Sequence, residues 1–112
     1  MKSYLYVTHA GGSYHAKYGL MSNWSTTLRK GSWNTVELHY KLNTPGQNNG
    51  LFEGYLNGVR GIRLADVQYR DADHASLRVN QLFFASFFGG PTSNGTDERW
   101  FFDDVVVSRT RW

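Results

Sequence analysis

The chain of 112 residues contains no cysteine and only 2 prolines. Without cysteine there is no disulfide scaffold, no thiolate-held zinc or iron–sulfur site, and no thiol nucleophile. Charged residues make up 19%, below the usual ~25%, which argues against a charge-laced helical bundle or coiled coil. No stretch approaches the ~20 apolar residues of a membrane span, so no membrane partner is expected. The opening residues, MKSYLYVTHAGG, hold one Lys and no apolar run long enough for a signal peptide. Basic residues are scattered, the longest run being Arg29-Lys30, so no nucleic-acid-binding arm is marked. Patterns for metal ligation, a phosphate-cradling loop or a nucleophile elbow are also missing, and neither metal nor cofactor is expected.

What is present is aromatic and polar. The 4 Trp, 7 Tyr and 7 Phe amount to 16% of the chain, and 40% is hydrophobic. That composition belongs to a chain with a core, and the length suits a single domain over 1–112. The formal charge of +3, from 12 Lys and Arg against 9 Asp and Glu, permits a polyanionic partner without specifying one.

The dominant periodicity is two. From Trp33 to Asn43, Val36, Leu38, Tyr40 and Leu42 fall on one face. Glu37, His39, Lys41 and Asn43 fall on the other. This predicts a strand with the first set buried and the second in water. A turn-rich stretch, 44–50, leads to two short strand-like runs, 51–56 and 59–64, joined by Asn57-Gly58. Asn-Gly between such runs is the strongest short-range hairpin signal, because both residues accept the positive φ of a type I′ turn. Further strands are expected at 3–8, 77–88 and 100–108, with a short one near 18–21; 65–76 reads as a connection. No helical period of ten or more residues is found. The chain reads as all-β, an antiparallel sandwich whose pattern begins abruptly inside a strand.

Gly31-x-Trp33-Asn34-Thr35-Val36-Glu37, Lys41-Leu42-Asn43-Thr44-Pro45-Gly46, Gly54-x-Leu56-Asn57-Gly58, Phe84-Ala85-Ser86-Phe87-Phe88-Gly89-Gly90 and the closing Phe101-Phe102-Asp103-Asp104-Val105-Val106-Val107 succeed one another in order. Together they resemble polysaccharide lyase family fourteen and the related glucuronan lyases, over roughly residues 3–108. The resemblance implies a concanavalin-A-like β-jelly roll, here its C-terminal portion and incomplete at the N-terminus. It also implies a secreted enzyme that cleaves alginate or glucuronan by β-elimination, with an acidic polysaccharide as partner; an incomplete sandwich would leave open strand edges, through which self-association is expected. The family's Tyr-x-Tyr pair on a cleft strand matches Tyr4-Leu5-Tyr6; its Lys, Arg, Ser or His partners come from strands upstream.

Elimination across a 4-linked uronate requires neutralisation of the C6 carboxylate, removal of the C5 proton, and protonation of the leaving O4. A tyrosine hydroxyl serves both proton steps where cations lower its pKa of ~10. Tyr4 and Tyr6 share a strand face at about 6.6 Å, with Tyr6 expected as base and acid and Tyr4 as its support. If Phe83, Ala85 and Phe87 point into the core, Phe84 and Ser86 face the cleft, for stacking on a sugar and bonding a hydroxyl; Ser86 fits equally as a small filler in a strand buried on both faces. His9 falls at the cleft rim and Lys17 in the loop after it, as further substrate contacts. His39 reads as part of a solvated outer face. Asp103 and Asp104, adjacent on a strand, point to opposite faces and cannot flank one bond. A non-catalytic carbohydrate-binding sandwich, or a structural remnant, fits the same residues.

Overall fold

A computed structural model of the chain describes residues 2–5, 9–10, 13–14, 20–83 and 99–110, with side chains from residue 23 onward. It divides into two units, Met1–Arg78 and Val79–Trp112. All strands among the described residues lie in the first unit: β1 (Lys2–Leu5), β2 (His9–Ala10), β3 (Ser13–Tyr14), β4 (Leu20–Asn23), β5 (Val36–Lys41), β6 (Gly50–Leu56) and β7 (Val59–Val67). Every pairing is antiparallel, β1 with β4, β2 with β3, and β5-β6-β7 as a three-stranded sheet with β6 in the middle. No helix occurs among the described residues, as the period-two pattern requires.

The hairpin β6–β7 turns at Asn57 (φ 52°) and Gly58 (φ 78°), the two positive values of a type I′ turn. Its geometry is locked from outside: the Asn57 amide N–H donates to the Thr35 carbonyl at 2.8 Å, and the Thr35 N–H returns a bond to Asn57 Oδ1 at 2.9 Å. The turn therefore also sets where β5 begins.

Two irregularities interrupt the β6–β7 register. Gly54 pairs with Ile62 while Tyr55 pairs with Arg60, leaving Gly61 as an extra residue; Gly50 pairs with Val67 while Leu51 pairs with Ala65, leaving Asp66 extra. Asp66 takes φ 59°, the left-handed conformation that a short polar side chain tolerates. Each bulge shifts the facing of the residues beyond it.

The core lies on the sheet face carrying Phe52, Leu56 and Ile62, capped by Trp24 and closed by Val67, with Leu28, Leu64 and Tyr69 packed around it. Trp24 lies flat enough on the sheet that a Cβ on Gly54 would collide with its ring, and one on Gly61 would collide with Trp24 and Thr26. Full burial of Phe52 contributes about 1.5–3 kcal/mol. Tyr40 leans on this cluster, its ring 5.1 Å from Phe52 and 6.4 Å from Tyr69.

Three expectations need correction. First, β5 forms where the alternation placed it, but its apolar face is not buried: Val36, Leu38 and Tyr40 are 43–47% exposed, and Glu37 is half-buried. The strand lies at the sheet edge, and the cap of Trp24 and Leu28 covers the β6–β7 side. Second, Asn43, expected in water, is fully buried. It closes a knot between two loops: its amide donates to the carbonyls of Thr44, Gln47 and Arg70 at 2.7–2.9 Å, and its Oδ1 accepts from the N–H groups of Tyr69 and Arg70. Third, of the strand expected at 77–88, residues 77–83 join no ladder among the described residues and 84–88 lie outside them; 100–108 likewise join none. At 103–104 the cause is local: Asp104 has φ 51°, and its N–H donates to Asp103 Oδ1 at 2.8 Å. A left-handed residue breaks an extended run, and Val105, Val106 and Val107 beyond it are exposed. The connection expected at 65–76 begins later, since β7 runs to Val67, while the short strand expected near 18–21 is present as β4.

Candidate functional site

The β5-β6-β7 sheet has a second face, opposite the core. Register places its side chains in three rows across the strands: Glu37-Tyr55-Arg60, His39-Glu53-Arg63 and Lys41-Leu51-Ala65. Glu53 is at the centre and is almost buried, its side chain 12% exposed. A carboxylate so placed needs partners, and it has four. His39 Nδ1 lies 3.2 Å from Oε2, and the Tyr55 hydroxyl donates to the same oxygen at 3.3 Å. Arg60 Nη1 and Arg63 Nε approach the other oxygen, Oε1, at 3.4 and 3.3 Å. The contact with His39 above all, with those of Tyr55 and Arg60, holds the Glu53 carboxyl below its ordinary range.

The bulge at Gly61 makes this arrangement. In an unbroken hairpin residues 60 and 63 have opposite parity and face opposite ways. One extra residue between them turns both guanidiniums to the same side of the sheet. The result is a cluster in which one nearly buried carboxylate, beside the buried Tyr55, fixes two half-exposed arginines and an imidazole. It can bind anions. Among the described residues no group of three or more His, Cys, Asp or Glu is arranged to hold a metal.

Of the residues expected at a site, Tyr4 lies on β1 opposite Met21 of β4, and His9 lies on β2 opposite Tyr14. Tyr6, Lys17, Phe84 and Ser86 lie outside the described residues. The described side chains that meet Glu53 are His39, Tyr55, Arg60 and Arg63, none of them among the residues expected at a site. The cluster went unanticipated apart from His39, which alternation put on the correct face. The signal for Arg60 was legible, since it comes just after the Asn-Gly turn in register with Tyr55. Arg63 had no such signal, because its facing depends on the bulge.

The protein is thus an antiparallel β-structure whose three-stranded sheet has one apolar face and one polar, cationic face. Its sequence matches the family model described as Polysaccharide lyase 14 over residues 4–104, and the chain belongs to that family. The exolysin of Paramecium bursaria Chlorella virus 1 is 25% identical over 79 residues, covering 70% of this chain and 12% of the exolysin. The chain thus spans a small part of that relative. No solved structure matches.

Proposed function

We propose that this chain is part of a lyase that cleaves a uronate-containing polymer, alginate or glucuronan, by β-elimination on a concanavalin-A-like jelly roll. The observation that carries the reading is the family match over 4–104, which takes in Tyr4-Leu5-Tyr6 and Ser86. In the proposed step the Tyr6 phenolate removes the C5 proton of a uronate. The C5–H electrons form the C4=C5 double bond, the bond from C4 to O4 breaks, and the Tyr6 hydroxyl returns a proton to the departing O4. Tyr4 holds the Tyr6 hydroxyl in place. Lys17 and His9 meet the substrate's carboxylate side, Phe84 stacks on a sugar ring, and Ser86 bonds a hydroxyl. No cofactor enters. A polymeric substrate of cell walls and matrices places the protein outside the cell, and residues 1–112 act as a portion of one sandwich domain, with self-association through its strand edges.

The test is ultraviolet absorbance of the unsaturated product formed from alginate and from glucuronan. Tyr6→Phe should lower kcat at least ~100-fold, the usual scale for loss of a general acid–base group. Folding should be unchanged, because only a hydroxyl leaves. Near-normal turnover would remove Tyr6 from the mechanism. A non-catalytic carbohydrate-binding module is the second reading, favoured by the two half-exposed arginines around Glu53; binding of uronate polymer without any unsaturated product would decide for it.

A further inference from the structure

The Glu53 cluster takes no part in the proposed elimination, yet it is the most organised polar feature among the described residues. Arg60 and Arg63 have side chains 54% and 50% exposed, while the carboxylate that orients them is 12% exposed. Each guanidinium carries five N–H donors and directs one nitrogen to Glu53 Oε1. Among the described residues neither guanidinium makes a further hydrogen bond. The two stems are thus held without being saturated, which lowers the ordering cost of receiving a ligand. Lys41, on the same face two residues from His39, makes no ion pair among the described residues. The face carries three permanent cations, Lys41, Arg60 and Arg63, against two carboxylates, Glu37 and Glu53.

We propose that Arg60 and Arg63, held by Glu53, form a carboxylate-binding subsite for a polyuronate chain, made of residues other than those proposed for elimination. This rests on the reading of the ligand as a uronate polymer. The guanidinium fork matches a planar carboxylate with two parallel N–H···O bonds, which an ammonium cannot do. The two carboxylates on the face argue for a ligand of sparse charge. Double-stranded DNA brings one phosphate per ~1.7 Å of axis and would meet Glu37 and Glu53 along with the cations. A polyuronate brings one carboxylate per sugar. Arg60 and Arg63 are positioning residues for the glycan and hold it against the sheet.

Affinity electrophoresis of the whole chain through gels containing polyglucuronate, alginate, a neutral glucan or DNA tests this. The unsubstituted chain should be retarded by a polyuronate and not by the neutral glucan. The double variant Arg60→Gln/Arg63→Gln should weaken that retardation at least ~10-fold, and Lys at both positions should restore only part of it, since the fork is lost. Glu53→Gln, which frees both stems, should weaken binding despite raising the net positive charge; a merely electrostatic surface would bind more tightly. All three variants leave the core face unsubstituted, and circular dichroism checks their folding. Unchanged retardation in the double variant, failure of the unsubstituted chain to bind any polyuronate, or equal losses on DNA would overturn the subsite. The outcomes also separate the two proposals. Retention that depends on Arg60 and Arg63 without any unsaturated product upholds the subsite and removes the lyase reaction; cleavage with retardation indifferent to both arginines does the reverse.

Discussion

Two side chains at the residue scale carry far more structure than their positions in the sequence suggest. Asn43 has zero exposure and satisfies both ends of its amide against the backbone of residues 44, 47, 69 and 70. Asn43→Ala leaves buried N–H and C=O groups without partners, at about 1–3 kcal/mol for each group that water cannot reach. A loss of at least ~2 kcal/mol is expected from urea midpoints. Asn43→Asp should fare no better, because a carboxylate oxygen would replace the amide that donates to three carbonyls. Glu53 makes a different prediction. Its folded carboxyl is held below the ordinary 4.5, chiefly by His39. The depressed value means that its contribution to stability is present above about pH 4.5 and is lost as pH falls through the folded pKa. Urea midpoints of the unsubstituted chain should fall across that acidic window, and Glu53→Gln should flatten this part of the profile. An equally steep fall in the variant would assign the acid sensitivity to other carboxyls.

At the scale of elements, the β6–β7 hairpin organises the sheet. Its turn was legible in Asn57-Gly58, and the observed positive φ values confirm it. The bulge at Gly61 was not legible, because one inserted residue changes no local propensity while reversing the facing of every residue beyond it on the strand. Gly54 shows how tightly the cap is set on this hairpin. A methyl there would collide with the Trp24 ring and reach within 2.9 Å of Ile62 Cγ2. Gly54→Ala should therefore cost about 1–3 kcal/mol by overpacking, visible as a lower melting temperature and altered Trp fluorescence. Trp24→Leu in the Gly54→Ala background should recover part of the loss, since the smaller side chain makes room. By contrast, β5 formed where alternation placed it, with its apolar side 43–47% exposed at Val36, Leu38 and Tyr40. Alternation reports which residues share a face and is silent on whether another layer covers it.

For the whole molecule, charge and family membership meet. The net charge of +3 is small, and attraction to a polyanion at that charge is a screened, medium-range force. Raising salt from about 0.1 to 1 M shortens the Debye length from about 10 to 3 Å. Retardation by a polyuronate should fall at least ~10-fold over that range. Salt-indifferent retention would point to ring stacking on aromatic side chains as the dominant contact. The membership of polysaccharide lyase family fourteen, found over residues 4–104, agrees with the order of short motifs from Gly31 to Val107. Each motif is weak alone, and their succession is specific because spacing between strands is constrained by the sheet they build.

The amino-acid sequence by itself determined the class of structure, the family, the hairpin turn and the paired faces of β5, because each depends on neighbours two to four residues away or on a motif read in line. It also held the Tyr4-Leu5-Tyr6 pair on which the proposed chemistry stands. Tertiary structure alone decided three things. Asn43 left the polar face for a buried knot, since residues 69–70 supplied the backbone groups that match its amide. The expected strand at 100–108 formed no ladder among the described residues, since extended residues become a strand only when a partner offers its hydrogen bonds and Asp104 turned the chain left-handed. The cationic cluster came from pairing across three strands, where a single bulge brought Arg60 and Arg63 to one carboxylate. Such a site depends on register between strands, and register is a property of the sheet.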